Sequence, residues 1–195
     1  ARTADGTCAA RLVDLASSHE GAAIGLARLA RNLVDRDRRP MLRDVLAALE
    51  RLAASRSQPD YLRELAALSI GDVERLPERK DVVAGIGASL LRLFRDGGEN
   101  PGLRRVAARA LGAAGTPGAA AARRQVLQDG SENPWVRRDA ARALWRLAGP
   151  ESLPAIVTQG RKQHPFVRAG AAYVLGEARA EGFDKELLAI AADDR

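Results

Sequence analysis

One phrase recurs along the chain. "ENPGLRRVAARALG" (99–112), "ENPWVRRDAARALW" (132–145) and "QHPFVRAGAAYVLG" (163–176) share a helix-start signal, aliphatic spacing and paired alanines. A weaker copy of the core, "LRELAALSIG", stands at 62–71. The core copies begin at Leu62, Leu103, Val136 and Val167, at intervals of 41, 33 and 31 residues. Each copy reads as a helix. In the 132–145 copy Asn133 suits the N-cap, Pro134 suits the first helical position, and Val136, Ala140, Ala141 and Leu144 recur at helical spacing. Alanines let a neighbouring helix approach closely while the aliphatics fill the groove between them. Gly71, Gly112 and Gly176 close three copies, where a helix is expected to stop or bend.

A second, less regular helical stretch follows each strong copy: "GAAAARRQVLQDG" after Pro117, "ESLPAIVTQGRKQ" after Pro150 and "FDKELLAIAADD" after Gly182. The unit is therefore helix A, a turn, helix B, and a polar turn ending in x-Pro. Such a unit cannot bury its apolar face alone, so successive units must stack. Upstream the pattern decays, but helices are expected near 7–17, 20–36, 40–55, 59–75 and 80–96, with 59–75 an A helix and 80–96 its partner. The expected fold is all-α, an α-α superhelix of five to six helix pairs. It forms a single domain over 1–195, with 1–58 degenerate or capping and 59–194 the clearer repeats. The residues expected in the seams are Ala107, Ala108, Leu111, Ala140, Ala141, Leu144, Ala171, Ala172 and Leu175.

Composition agrees with helix. Apolar residues make up 46% of the chain and aromatics only 4%, whereas sheets favour aromatic and β-branched residues. No apolar run reaches the roughly 18 residues that a membrane span needs. Cys8 is alone, so neither an internal disulfide nor a cysteine metal cage can form. The chain starts "ARTADGT", with no initiating Met and no signal-type apolar stretch, and so reads as a processed product or excised piece.

The repeat resembles the HEAT-like units of the type found in phycobilisome lyases. The resemblance rests on Val136-Arg137, Ala140-Ala141, Ala143-Leu144 and their equivalents in the other copies. It implies a solenoid of helix pairs whose B helices line the concave side. The spacing of 31–33 is shorter than the roughly 40–47 residues of full HEAT or armadillo units. The tetratricopeptide W-x-x-L-G-x-x-Y and the ankyrin T-P-L-H signatures are absent from the text.

Catalytic chemistry has little to draw on. His19 and His164 are the only histidines, and no H-E-x-x-H occurs. His164 stands where Asn100 and Asn133 stand, just before the repeat's Pro, and is expected to start a helix. "GIGASL" (85–90) lacks phosphate-loop spacing, and Gly85 and Gly87 read as close-packing positions. Trp135 and Trp145 read as packing residues. No catalytic, cofactor or metal residue is assigned.

The net charge is +6, and residues 101–146 alone hold nine arginines against Asp129, Glu132 and Asp139. Two groups of arginines differ in meaning. Arg63, Arg104, Arg137 and Arg168 recur at one repeat position, which points to an inter-repeat role such as pairing with an acid in the turn. Arg105, Arg109, Arg138 and Arg142 form two i,i+4 pairs that stacking could align as a basic stripe; the plainer reading is a solvated face. The leading expectation is a non-enzymatic scaffold that binds another protein. The partner-binding candidates lie on the variable B helices: Arg123, Arg124, Gln128, Thr158, Arg161 and Lys162. Nucleic-acid binding by the basic 101–146 region ranks second. An accessory repeat domain of a larger enzyme, such as a bacterial metallopeptidase or lyase, ranks third.

Overall fold

A computed structural model of the chain describes residues 11–12, 14–16, 19–35, 39–74, 87–111, 116, 118–161, 164–178 and 183–192. Helices α1 (Glu20–Asp35), α2 (Arg39–Ala54), α3 (Asp60–Glu74) and α4 (Gly87–Arg95) come first. They are followed by α5 (Pro101–Ala110), α6 (Ala119–Gln128), α7 (Pro134–Ala148), α8 (Leu153–Gly160), α9 (Pro165–Ala178) and α10 (Asp184–Ala192). A 3-10 turn at Gly149–Ser152 leads from α7 into α8. Among the described residues there is no strand. The expected helix bounds from residue 20 onward hold within a few residues, while both ends of the expected 7–17 helix and the expected start near 80 lie outside the described residues. Cys8, Gly85, Gly112 and Lys162 lie outside them too.

Odd-numbered helices form the A layer and even-numbered helices the B layer. In the A layer α1 packs on α3, α3 on α5, α5 on α7 and α7 on α9, while α2, α4, α6 and α8 each pack against the A helix that follows and against neighbouring B helices. The copies thus make the same contact in succession, which is why the phrase repeats. Ala107, Ala108, Leu111, Ala140, Ala141, Leu144, Ala171 and Leu175 are buried as expected. Ala172 is only half-buried. It sits on the last described A helix, where no further A helix among the described residues covers that face.

Gly71 corrects the expectation of a helix stop. Helix α3 continues to Glu74, and a Cβ at Gly71 would come within 2.6 Å of Ala110 Cα on α5. The glycine is there for backbone contact between A helices. Gly176 also lies inside its helix, α9. In the third copy Trp145 replaces the glycine, α7 runs on, and Gly149 closes it at φ +54° with its N–H on Trp145 O. Trp145 is partly buried against the C-terminal part of the core.

The recurrent arginine ties one repeat to the next. Arg63, Arg104 and Arg137 each donate Nε–H at 3.0 Å to a carbonyl ten residues earlier: Ala53, Phe94 and Leu127. Those carbonyls lie in the last turns of α2, α4 and α6, where backbone oxygens have no partner within the helix and a cation is favoured. The guanidinium then reaches the following turn. Arg63 holds Glu99 (Nη1–Oε1 2.9 Å), and Arg104 holds Glu132 (Nη1–Oε1 2.7 Å) in bidentate pairs. The expected pairing with a turn acid is met at both.

The turns supplying these acids are built alike. Asp96 accepts from Gly98 N, and Asp129 accepts from Ser131 N. Asn100 and Asn133 then cap α5 and α7 by accepting from Gly102 N at 2.7 Å and Trp135 N at 2.9 Å. His164 takes the same role for α9, its Nδ1 accepting from Phe166 N at 3.4 Å.

Candidate functional site

The second arginine of the recurrent pair faces out from the seam. Arg105 on α5 and Arg138 on α7 occupy the same repeat position, and Arg109 and Arg142 follow one helical turn later. Together with Arg146, Asp139 and Ala143 they line an open groove of about 200 Å³ between the two helices. The stripe anticipated from the two i,i+4 pairs is therefore assembled by the A-layer packing.

Asp139 organises the groove. Its side chain is 3% exposed, and it accepts from Arg105 Nε at 3.0 Å and from Arg138 Nε at 3.0 Å. A buried carboxylate is stable only when paired, and two guanidiniums provide that pairing. In doing so Asp139 fixes Arg105 and Arg138 on the floor. Five arginines against one aspartate leave four positive charges in the groove. Arg109 and Arg146 are exposed, and among the described residues neither lies within ion-pair distance of a carboxylate.

Aromatic rings flank this groove. Trp135 stacks on Phe166 with centroids 3.6 Å apart and planes at 28°. Arg138 and Arg105 lie over Trp135, at 4.5 and 5.5 Å from its centroid. Arg142 lies 3.7 Å from the Tyr173 centroid, and Tyr173 donates its hydroxyl to Glu177 at 2.7 Å. These contacts hold the long arginine stems in place. Trp135 thus packs, as expected, but it packs as a spacer between two arginines and the next A helix.

The B-layer candidates do not converge in this way. Arg123 was expected on the surface; it is fully buried, with Nη2 donating to Ala108 O at 3.3 Å. It lies on the face of α6 turned toward the A layer, one position from the exposed Arg124, so a one-residue step on the helix decides the difference. Arg124 and Gln128 are exposed. Thr158 turns its hydroxyl back to Pro154 O at 2.8 Å, and Arg161 pairs with Glu186 at 2.8 Å.

A family model for HEAT repeats matches residues 87–176 and 121–195, which together span more than half the chain. The chain belongs to the HEAT-repeat family. This HEAT array is matched by no curated protein. Among the described residues no cluster of three or more His, Cys, Asp or Glu side chains could hold a metal ion, and no helix is long and apolar enough to cross a membrane.

The groove was legible in part. Its four in-register arginines were visible in the repeat. The role of Asp139 was hidden, because Val106 and Gly170 occupy its position in the neighbouring copies. Arg146 has Ala113 as its counterpart in the preceding copy and carried no repeat signal.

Proposed function

We propose that this HEAT-repeat chain is a non-enzymatic scaffold that holds another protein against the arginine groove of its A layer. One observation carries the reading: a buried carboxylate fixes two arginines beneath a groove whose outer arginines project into solvent. A preorganised, charged concavity on a rigid helical frame is what specific recognition requires. His164, the histidine nearest this region in sequence, is engaged in starting α9. The B-layer set, reduced to Arg124, Gln128, Thr158 and Arg161 with Lys162 beside it in sequence, is the rival surface for the same activity.

Immobilised chains cross-linked in source-cell extract, with cross-links mapped by mass spectrometry, separate the two surfaces. The expected result is cross-links concentrated on α5 and α7, with capture lost in Arg109→Glu/Arg146→Glu. Arg124→Glu/Thr158→Ala should retain capture, and both variants should melt like the parent. The reverse pattern would transfer the function to the B layer and refute the groove assignment.

A further inference from the structure

We propose that the segment recognised by the arginine groove is an acidic stretch of protein, read through carboxylates spaced two residues apart on an extended backbone. The inference rests on the A-layer reading above and adds the chemistry of the partner.

Charge and spacing lead to this partner. Arg142 and Arg146 are one turn apart on α7, about 6 Å along the axis. Arg109 faces them from α5, across a helix packing distance of about 8–10 Å. An extended strand presents same-side residues about 7 Å apart, so Glu-x-Glu matches the arginine spacing in either direction. The planar guanidinium takes a carboxylate through two parallel N–H bonds, which a lysine groove could not do. Arg105 and Arg138 are already engaged by Asp139, so Arg109, Arg142 and Arg146 are the groups left to receive the ligand.

The same features disfavour a nucleic-acid strand. The guanidinium track is two repeats wide and then stops. The positions equivalent to Arg105 and Arg138 are Glu64 in the preceding A helix and Ala169 in the following one, and those equivalent to Arg109 and Arg142 are Leu68 and Tyr173. A phosphate backbone needs a continuing track, and Glu64 would repel it. Non-specific single-strand binding also needs open aromatic faces for bases. Here the Trp135 ring is engaged by Phe166 and by arginines, and Tyr173 lies under Arg142.

Fluorescence anisotropy on the full chain tests this with four labelled probes: a short peptide alternating Glu with Ser, the same peptide with Gln for Glu, a scrambled peptide with its glutamates clustered, and a single-stranded RNA. The alternating Glu peptide should bind at least about tenfold more tightly than the Gln peptide, and more tightly than the clustered one. Arg109→Glu/Arg146→Glu should weaken it about 100-fold, since attraction becomes repulsion, whereas Arg124→Glu should leave it unchanged. Equal binding of the Glu and Gln peptides, or none, would overturn the acidic-segment inference. The A-layer reading would still stand if the cross-linked partner remained sensitive to Arg109→Glu/Arg146→Glu. Submicromolar RNA binding at physiological salt that disappears in that variant would overturn both.

Discussion

Arg63 and Arg137 occupy one repeat position and make the same bond to the B helix before them, yet their surroundings pull their charge in opposite directions. Arg63 is clamped by Glu99, and that hydrogen bond raises the guanidinium pKa above its ordinary value despite burial. At Arg137 burial dominates and lowers the pKa, against the attraction of Asp129 and Glu132. In sequence, Gln163 stands where Glu99 and Glu132 stand. Arg137 reaches Leu127 O with both Nε at 3.0 Å and Nη2 at 2.9 Å, and Gln159 Oε1 at 3.3 Å. Arg63, Arg104 and Arg137 all keep the tie to a carbonyl of the preceding helix, and at Arg63 and Arg104 a glutamate clamp is added to it.

The largest effect should come from removing one partner of the clamp. Arg63→Met leaves buried Glu99 with only the longer Arg56 contact at 3.8 Å and should cost about 3–5 kcal/mol in urea unfolding. Arg137→Met removes a desolvated charge along with its bonds and should cost about 1–3 kcal/mol, chiefly for the Leu127 carbonyl left unpaired. Equal losses would erase the distinction between the two rungs.

Acid should act on the first rung through Glu99. Glu99 is held below its ordinary value of 4.5, first by the hydrogen bond from Arg63 and then by Asn100 N–H and nearby charge, against burial, which raises it. A depressed folded-state pKa gives stability that is present above the unfolded value and lost as pH falls through the folded one. Stability should therefore drop below pH 4.5, and the Glu99→Gln variant should drop less steeply over that range. Parallel acid titrations of the two proteins would show the difference, and superimposable slopes would remove the clamp from the account.

Supplying the missing acid is a smaller perturbation. Gln163→Glu places at that sequence position the acid that Glu99 and Glu132 supply in the two preceding copies, and should raise stability by about 1–2 kcal/mol. A neutral or negative change would mean that the third turn does not bring position 163 into the register of 99 and 132.

The smallest change concerns the cap. The His164 Nδ1 bond to Phe166 N is 3.4 Å long, against 2.7 and 2.9 Å at Asn100 and Asn133. His164→Asn should tighten it and stabilise α9 by about 0.5 kcal/mol, read as slower amide exchange in the first turn of α9.

Much of this molecule is written locally. Asn133-Pro134 starts a helix because the side-chain oxygen and the proline ring solve problems confined to a few residues. The 3.6-residue spacing of Val136, Ala140, Ala141 and Leu144 marks a buried stripe on any helix that carries it. The recurrence of Arg63, Arg104 and Arg137 announced a contact between repeats, because a residue kept at one position of a stacked unit meets the same neighbour each time. Recurrence and local stereochemistry thus made the helix pairs, the seam and the arginine tie legible from the text. Other features depend on which residues from distant segments come together. Arg123 is buried and Arg124 exposed on one short helix, and only the rotation at which α6 docks distinguishes them. Gly71 is required by Ala110, about forty residues on, whose backbone approaches too closely for any Cβ. Asp139 has no counterpart in its sister helices, so its pairing with Arg105 became visible only when α5 and α7 lay side by side. Long-range electrostatics and close packing depend on position in space, and those were the terms that tertiary structure alone decided.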